Sequence, residues 1–349
     1  MAVTSAERHP IMTTISHGSY RIDSLGERAP GEMRLDTNES LFFLRQLELI
    51  DTTAYKVRYP ALLGRQIIPP LAGVPEWAHV YTFRQFDQFG VAKLIGNAAD
   101  DLNMAEATGQ EYSTPIRAIG ESYGYDVFEL QAAAASSQML SNMPIMLEQL
   151  RASAARYACE SAVDLMLAQG KIPMPTGVPV AVPGIFGLYN QPGTTTFTPG
   201  TKALGGTTWG SIAAPNASGD EVAADIMGIA NNLFAVTQGI WGKFKIVLPI
   251  SQYNYAATKR LGSVSDTTAL AFAKANCPYI EDVIPWWQAP AGQMVAFPND
   301  PSVLGALVNQ EWTVQAPQMR NLKYVINTYM KCGGVVSRYP VAISNATGL

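Results

Sequence analysis

Between Asp126 and Gly170 apolar residues recur at helical spacing, first through Leu130 and the alanines 132–135, then in an uninterrupted run after Pro144. Proline suits a first helical turn, where its missing N–H would have no partner anyway, and Gly170 supplies the usual stop. At 1.5 Å per residue the second run predicts a rod roughly 40 Å long. Leu147, Leu150, Ala154, Ala158 and Leu165 are expected near one face, with Glu148, Arg151, Arg156, Glu160 and Asp164 on the polar sides. Arg156 and Glu160 stand four apart, the spacing of a weak helical ion pair.

Elsewhere the pattern is that of strands. Residues His79 to Ile95 are rich in aromatic and β-branched side chains (Val80, Tyr81, Phe83, Phe86, Phe89, Val91), and a second extended run spans Tyr112 to Ile119. The two predict a long hairpin, joined by a polar connection from Gly96 to Gln110. Two strands alone are marginal in water, so this hairpin must lie on other protein. Residues 1 to about 37 show no sustained period and read as an extended arm, followed by a short helix with Leu41, Leu44 and Leu47 behind the capping candidates Thr37 and Asn38.

Residues 171–219, dense in Pro, Gly and Thr, read as loops with short strands. Ser218 with Glu221 is a capping-box start for a helix carrying Val222, Ile226, Ile229, Leu233 and Val236. A strand from Phe244 to Ile250, helices from about Ser251 to Leu261 and Asp266 to Asn276, and a strand from Tyr279 to Trp287 complete a mixed α/β unit. The chain ends in strands: Tyr324, Ile326, Thr328, Met330 and Cys332 share one face, and Gly333-Gly334 marks a bulge or tight turn before Val335 to Ile343.

Composition adds one informative number. Charged residues make up 15% of the 349, against the roughly 25% of ordinary soluble proteins. A surface so poor in charge is expected to be covered by other subunits. The net charge of -4 lacks the basic excess of a nucleic-acid binder. No apolar stretch approaches the roughly 18 residues of a membrane span, and the first thirty residues lack the pattern of a signal peptide. Cys159, Cys277 and Cys332 form neither a disulfide framework nor a metal knuckle and read as reduced, buried small residues.

Catalytic patterns are missing. His9, His17 and His79 lie in the arm or at the hairpin start with no partner in sequence, and no nucleophile elbow, zinc-protease or phosphate-loop motif occurs. Gly205 to Gly210 is glycine-rich but reads as a plain loop. Glu160 with Asp164, and Asp100 with Asp101, are paired carboxylates of the kind more often solvated than catalytic. Trp286-Trp287, Trp241 and Trp312 read as core or interface rather than a ligand pocket. No catalytic residue, cofactor or metal site is assigned.

The order of arm, hairpin, long helix, α/β unit and terminal strands resembles tailed-bacteriophage major capsid proteins of the Hong Kong 97-type fold. Particular stretches carry the likeness: Phe42 to Glu48, Asp87 to Ala92, Ala99 to Asp101, Pro115 to Arg117, Tyr123 to Leu130, Gly184 to Asn190, and Gly333 through Ile343. The resemblance implies an α+β capsid fold with an N-terminal arm (1–60), an extended β-hairpin loop (75–122), a peripheral domain with the long spine helix (123–184 and 316–349) and an axial α/β domain (185–315). It implies a virion protein, assembled in the host cytoplasm from pentamers and hexamers into an icosahedral shell around double-stranded DNA, without sequence-specific binding and without a membrane. Portal, separate scaffold and decoration proteins would be its partners. Phe42, Arg45, Tyr81, Phe83, Phe86, Phe89 and Arg117 are the expected inter-subunit contacts. An encapsulin-like compartment protein would share this fold; an α/β hydrolase or transferase is the enzyme alternative.

Overall fold

A computed structural model of the chain describes residues 58–91, 93, 104–131, 143–262 and 265–349. The expected arm, the helix of Leu41, Leu44 and Leu47, Asp100-Asp101 and most of the hairpin connection lie outside them. After a single helical turn at Gly64–Ile67 (α1), the dominant helix is Met143–Gln169 (α2). It stops where the sequence places the stop: Gly170 has φ +64°, and a Cβ there would fall 2.6 Å from the Ile185 carbonyl oxygen. Arg156 and Glu160 form the expected pair at 2.7 Å.

The buried face of α2 is only partly the expected one: Leu165 is buried as expected. Leu150, Ala154 and Ala158 are exposed, while Ala155, Cys159, Ala162, Val163 and Met166 are buried. Alanine is neutral enough to sit on either face, so periodicity alone chose wrongly between two adjacent stripes. Every residue from Ala162 to Ala168 is buried, because this half of the helix shares its core with α1, with Ile185 to Tyr189 and with strands from two sheets. Asp164, expected on a polar side, is therefore inside, where its carboxylate accepts the Gly64 N–H at 2.6 Å and the Trp286 indole N–H at 3.1 Å.

Strands β1 (Val80–Phe89) and β2 (Glu106–Pro115) pair antiparallel over ten unbroken positions. Strand β3 (Arg117–Asp126) leaves that ladder and joins another sheet. The expected run from Tyr112 to Ile119 is thus two strands, parted at Ile116, and the first begins at Glu106, inside the expected connection. Each difference has its own cause: β2 is exposed on both faces over most of its length, so its start carries no apolar alternation, and the break follows Pro115, which has no N–H to donate. A short ladder joins β4 (Lys171–Ile172) to β5 (Val180–Ala181).

The α/β unit contains β6 (Thr195–Phe197), helix α3 (Gly219–Val236), β7 (Phe244–Leu248), helix α4 (Ile250–Thr258), helix α5 (Ala269–Asn276), β8 (Ile280–Pro285) and β9 (Gln293–Phe297). The capping box forms: Glu221 N–H donates to Ser218 Oγ at 3.3 Å and Ser218 N–H to Glu221 Oε2 at 2.7 Å. Val222, Ile226, Ile229 and Leu233 are fully buried. Val236, at the helix end, is exposed. Behind α3 lies a buried ion pair invisible in the sequence, Lys202 with Asp225; the Trp209 indole donates to the same carboxylate at 2.7 Å.

Three late strands are β10 (Leu304–Val314), β11 (Gln318–Arg320) and β12 (Lys323–Ser337), and β13 (Ser344–Thr347) ends the chain. β12 pairs with β10, β11 and β3 in one sheet, and the other sheet runs β6-β13-β9-β7-β8. Two strands pair across the expected domain limits. β10, placed with the axial residues 185–315, belongs to the sheet of the spine helix, and β13, placed with the peripheral residues 316–349, belongs to the α/β sheet. Pairing between strands distant in sequence leaves no periodic mark on either strand. In the α/β sheet, Phe244, Ile246 and Leu248 face the helices α3 to α5, whereas Val247 joins the core of the spine helix. With both faces covered, the sheet welds the two units together.

All three cysteines are free and buried; burial pushes the Cys332 thiol up to about 11.

Candidate subunit interface

The hairpin of β1 and β2 is anchored at its foot and bare beyond it. Along β1, side chains alternate between the two faces of the ribbon. Tyr81 and Phe83, two residues apart, pack on a small core of Ala78, Ile116, Leu307 and Val336. Phe83 lies opposite Tyr112 on β2, and the two rings stack with centroids 5.5 Å apart. From Arg84 outward almost nothing is covered. Arg84 and Glu111 face each other across the ladder at 3.6 Å, both in solvent.

Two of the expected contact residues stand out there. Phe86 is 72% exposed and Phe89 71%; three residues apart on a strand, they point to opposite faces, so the ribbon offers an aromatic ring on each side. Phe86 faces Gly109, where a Cβ would come within 3.1 Å of the ring, so the glycine lets the phenyl lie across the neighbouring strand. Val91 and Met104 extend the bare apolar surface, and Trp77, just before the hairpin, is 78% exposed. Met104 and Trp77 were not among the expected contacts. The usable signal was there: large apolar side chains in a segment otherwise polar on both faces.

The remaining expected residues separate. Arg117 is exposed but sits on β3 opposite Cys332, away from the ribbon ladder. Tyr81 and Phe83 hold the foot and are half-buried in their own subunit. Phe42 and Arg45 lie outside the described residues.

Among the described residues the other candidates from the sequence stand apart from one another. Glu160 pairs with Arg156 and Asp164 is engaged by two N–H donors, so the two carboxylates share no site. Trp286 is fully buried, while Trp241, Trp287 and Trp312 pack against the same core. An open hollow of about 310 Å³ beside the start of α3 is lined by Leu204, Asn216, Ser218, Glu221, Lys259 and Arg260 among others, and its Ser218 and Glu221 are engaged with each other in the helix cap. Among the described residues no three His, Cys, Asp or Glu gather as metal ligands, and no helix is long and apolar enough to cross a membrane. The mixed sheet, parallel only at β7–β8 and β13–β6, is not the mainly parallel sheet of an α/β hydrolase.

A family model described as major capsid protein matches residues 90–349. No curated protein matches the chain. Among solved structures the fold is similar to a chain from the capsid of Myoviridae phage XM1, with a TM-score of 0.70 at 18% identity over 89% of this chain and 99% of that one. It is also similar to Mycobacterium phage Ogopogo (TM-score 0.56, 13% identity, 88% and 99% covered) and to the capsid of an empty GTA particle (TM-score 0.54, 13% identity, 86% and 94% covered). At such identities the likeness speaks for the fold, which is the Hong Kong 97-type expected from the resemblance. Because the family match spans most of the chain, from the hairpin to the last residue, the chain belongs to the major capsid protein family.

Proposed function

We propose that this capsid subunit works by self-association alone, with no catalytic chemistry of its own, and that pentamers and hexamers of it close into an icosahedral virion shell around double-stranded DNA. Assembly would take place in the host cytoplasm, with portal, scaffold and decoration proteins as separate chains. The hairpin Val80–Pro115 would lie across a neighbouring subunit. The spine helix with its β3, β10 and β12 sheet would form the peripheral part, and the α3 to α5 unit with its sheet the axial part. Heterologous contacts of this kind, each weak, become hard to reverse once a ring or shell closes. An acidic subunit avoids salt-sensitive attachment to the enclosed DNA.

The observation that carries this reading is the bare ribbon. The ladder of ten residue pairs carries Phe86 and Phe89, which nothing among the described residues covers, and a two-stranded ribbon does not hold itself in water. Its natural complement is another copy of the chain, since charge is scarce throughout. The test is electron microscopy of the purified protein beside a Phe86→Ser, Phe89→Ser chain. Closed shells from the native chain, with folded but unassembled subunits from the variant, are the expected result. Equal assembly of the two would remove the ribbon from the mechanism.

A further inference from the structure

The foot of the ribbon is held in a way that packing alone does not require. Three polar side chains on the sheet of β10 and β12 reach toward it. Asn309 on β10 donates from Nδ2 to the carbonyls of Pro75 at 3.1 Å and Ala78 at 3.2 Å. Lys331 on β12 donates to the Glu76 carbonyl at 2.7 Å. Arg338, just past β12, spans two partners, the Pro301 carbonyl and the Tyr81 hydroxyl, each at 2.9 Å. The backbone closes the ring with Ile116 N–H on the His79 carbonyl at 2.8 Å. Three carbonyls of the turn 75–78 and the second residue of β1 are thus fixed against a sheet that is itself fixed to the spine helix.

We propose that Asn309, Lys331 and Arg338 form a socket that sets the direction in which the ribbon leaves its own subunit, and through it the curvature of the shell. The inference rests on the ribbon's lying across a neighbour. Among the described residues, almost nothing covers the ribbon beyond Phe83, so its heading is decided at the foot. A small rotation there is multiplied along the strand: at about 3.3 Å per residue, six further residues carry the end roughly 20 Å from the anchor. Asn309 is suited to the task because its amide cannot turn over. A flip would set Oδ1 against the carbonyls that Nδ2 now serves, although Oδ1 is left buried without a partner as it stands. Apolar contacts at the foot give adhesion but little direction; hydrogen bonds, which weaken steeply off-line, give direction.

The positioning role separates from simple stability in the shell itself. Tyr81→Phe removes only the hydroxyl that meets Arg338 and leaves the ring on its core, so the subunit keeps its fold. Asn309→Asp turns the donor into a carboxylate facing carbonyls and is the stronger variant. Both are compared by electron microscopy with the native chain and with the Phe86→Ser, Phe89→Ser chain, alongside thermal midpoints of the unassembled subunits. The expected result is that Tyr81→Phe, with an unchanged midpoint, still assembles but gives a broadened distribution of shell diameters and open or malformed particles, and that Asn309→Asp broadens it further. Shells of native diameter and closure from Tyr81→Phe would overturn the socket. Native assembly by the Phe86→Ser, Phe89→Ser chain would instead overturn the ribbon reading beneath it.

Discussion

The Asp164 carboxylate and the Trp286 indole meet at 3.1 Å inside the largest core, joining the spine helix to the loop that follows β8. The other carboxylate oxygen takes the Gly64 N–H, so one side chain ties three separate segments. Removing it leaves two buried donors without acceptors, each costing about 1–3 kcal/mol. Asp164→Ala is therefore expected to lower subunit stability by about 2–6 kcal/mol, read from the midpoint of urea unfolding. Gly64→Ala should also be harmful, since the new Cβ would lie 2.6 Å from Asp164 Oδ1. Normal stability in both chains would mean that the clasp contributes nothing.

Two carboxylates pull the pH profile in opposite directions. Burial, the largest influence, raises Asp164 above its ordinary 3.8 despite its two donors. The folded chain then holds that proton more readily than the unfolded one, so its contribution is present at low pH and is lost as pH rises through the folded value. Glu129 goes the other way: its hydrogen bond to Arg151, aided by the Asp126 N–H, lowers it from 4.5 to about 2. Its contribution is present above 4.5 and is lost as pH falls toward 2. In thermal midpoints across the acid range, Glu129→Gln should flatten the loss on acidification and Asp164→Asn should steepen it. Profiles parallel to the native one in both variants would contradict the assignment.

The sequence showed what is local and strongly patterned. The Ser218–Glu221 cap and the stripe Val222, Ile226, Ile229, Leu233 form as expected because a capping box and a heptad-like stripe are written into adjacent residues. Gly170 ends its helix for the same reason. What failed was decided by partners far along the chain. The spine helix offered two alanine-rich stripes, and only the sheet that packs on it selects Ala155, Cys159 and Met166 over Leu150 and Ala154. Asp164 looked like surface charge because its donors, Gly64 and Trp286, lie about a hundred residues away on either side. Of the proposed interface, Phe86 and Phe89 were legible as aromatic residues in a polar strand; Asn309, Lys331 and Arg338 of the proposed socket were not, since a hydrogen bond to a distant carbonyl leaves no trace in composition.

The pair Lys202–Asp225 is almost wholly buried, with side chains 1% and 5% exposed. Breaking such a pair from one side leaves an uncompensated charge, at a cost of about 3–5 kcal/mol. Lys202→Met is expected to fall in that range by thermal or urea unfolding. The double variant Lys202→Met, Asp225→Asn should recover much of the loss, because the neutral amide oxygen can still accept from the Trp209 indole, now 2.7 Å from the carboxylate. A double variant no better than the single one would show that the cost is in packing and not in charge.

The bulge at Gly333-Gly334 separates two kinds of glycine. Leu307 pairs with Gly334 and Val308 with Cys332, so Gly333 is the extra residue on β12. A Cβ on Gly333 would approach Leu307 Cδ2 at 2.5 Å, a side-chain contact with ordinary backbone φ. Gly334 has φ +76°, and its Cβ would fall 2.5 Å from the Phe186 carbonyl oxygen, which is fixed by the Val335 N–H at 2.8 Å. The backbone conformation alone costs an alanine about 1–3 kcal/mol, and the clash adds to it. Gly334→Ala is thus expected to destabilise more than Gly333→Ala. Its damage should also reach the ribbon, because the extra residue sets the phase of the strand beyond it: Val335 enters the main core and Val336 the small core under the hairpin foot. Limited proteolysis of the Gly334→Ala subunit should cut faster within residues 80–115 than in the native chain, and an unchanged cleavage rate there would show that the bulge and the ribbon foot are independent.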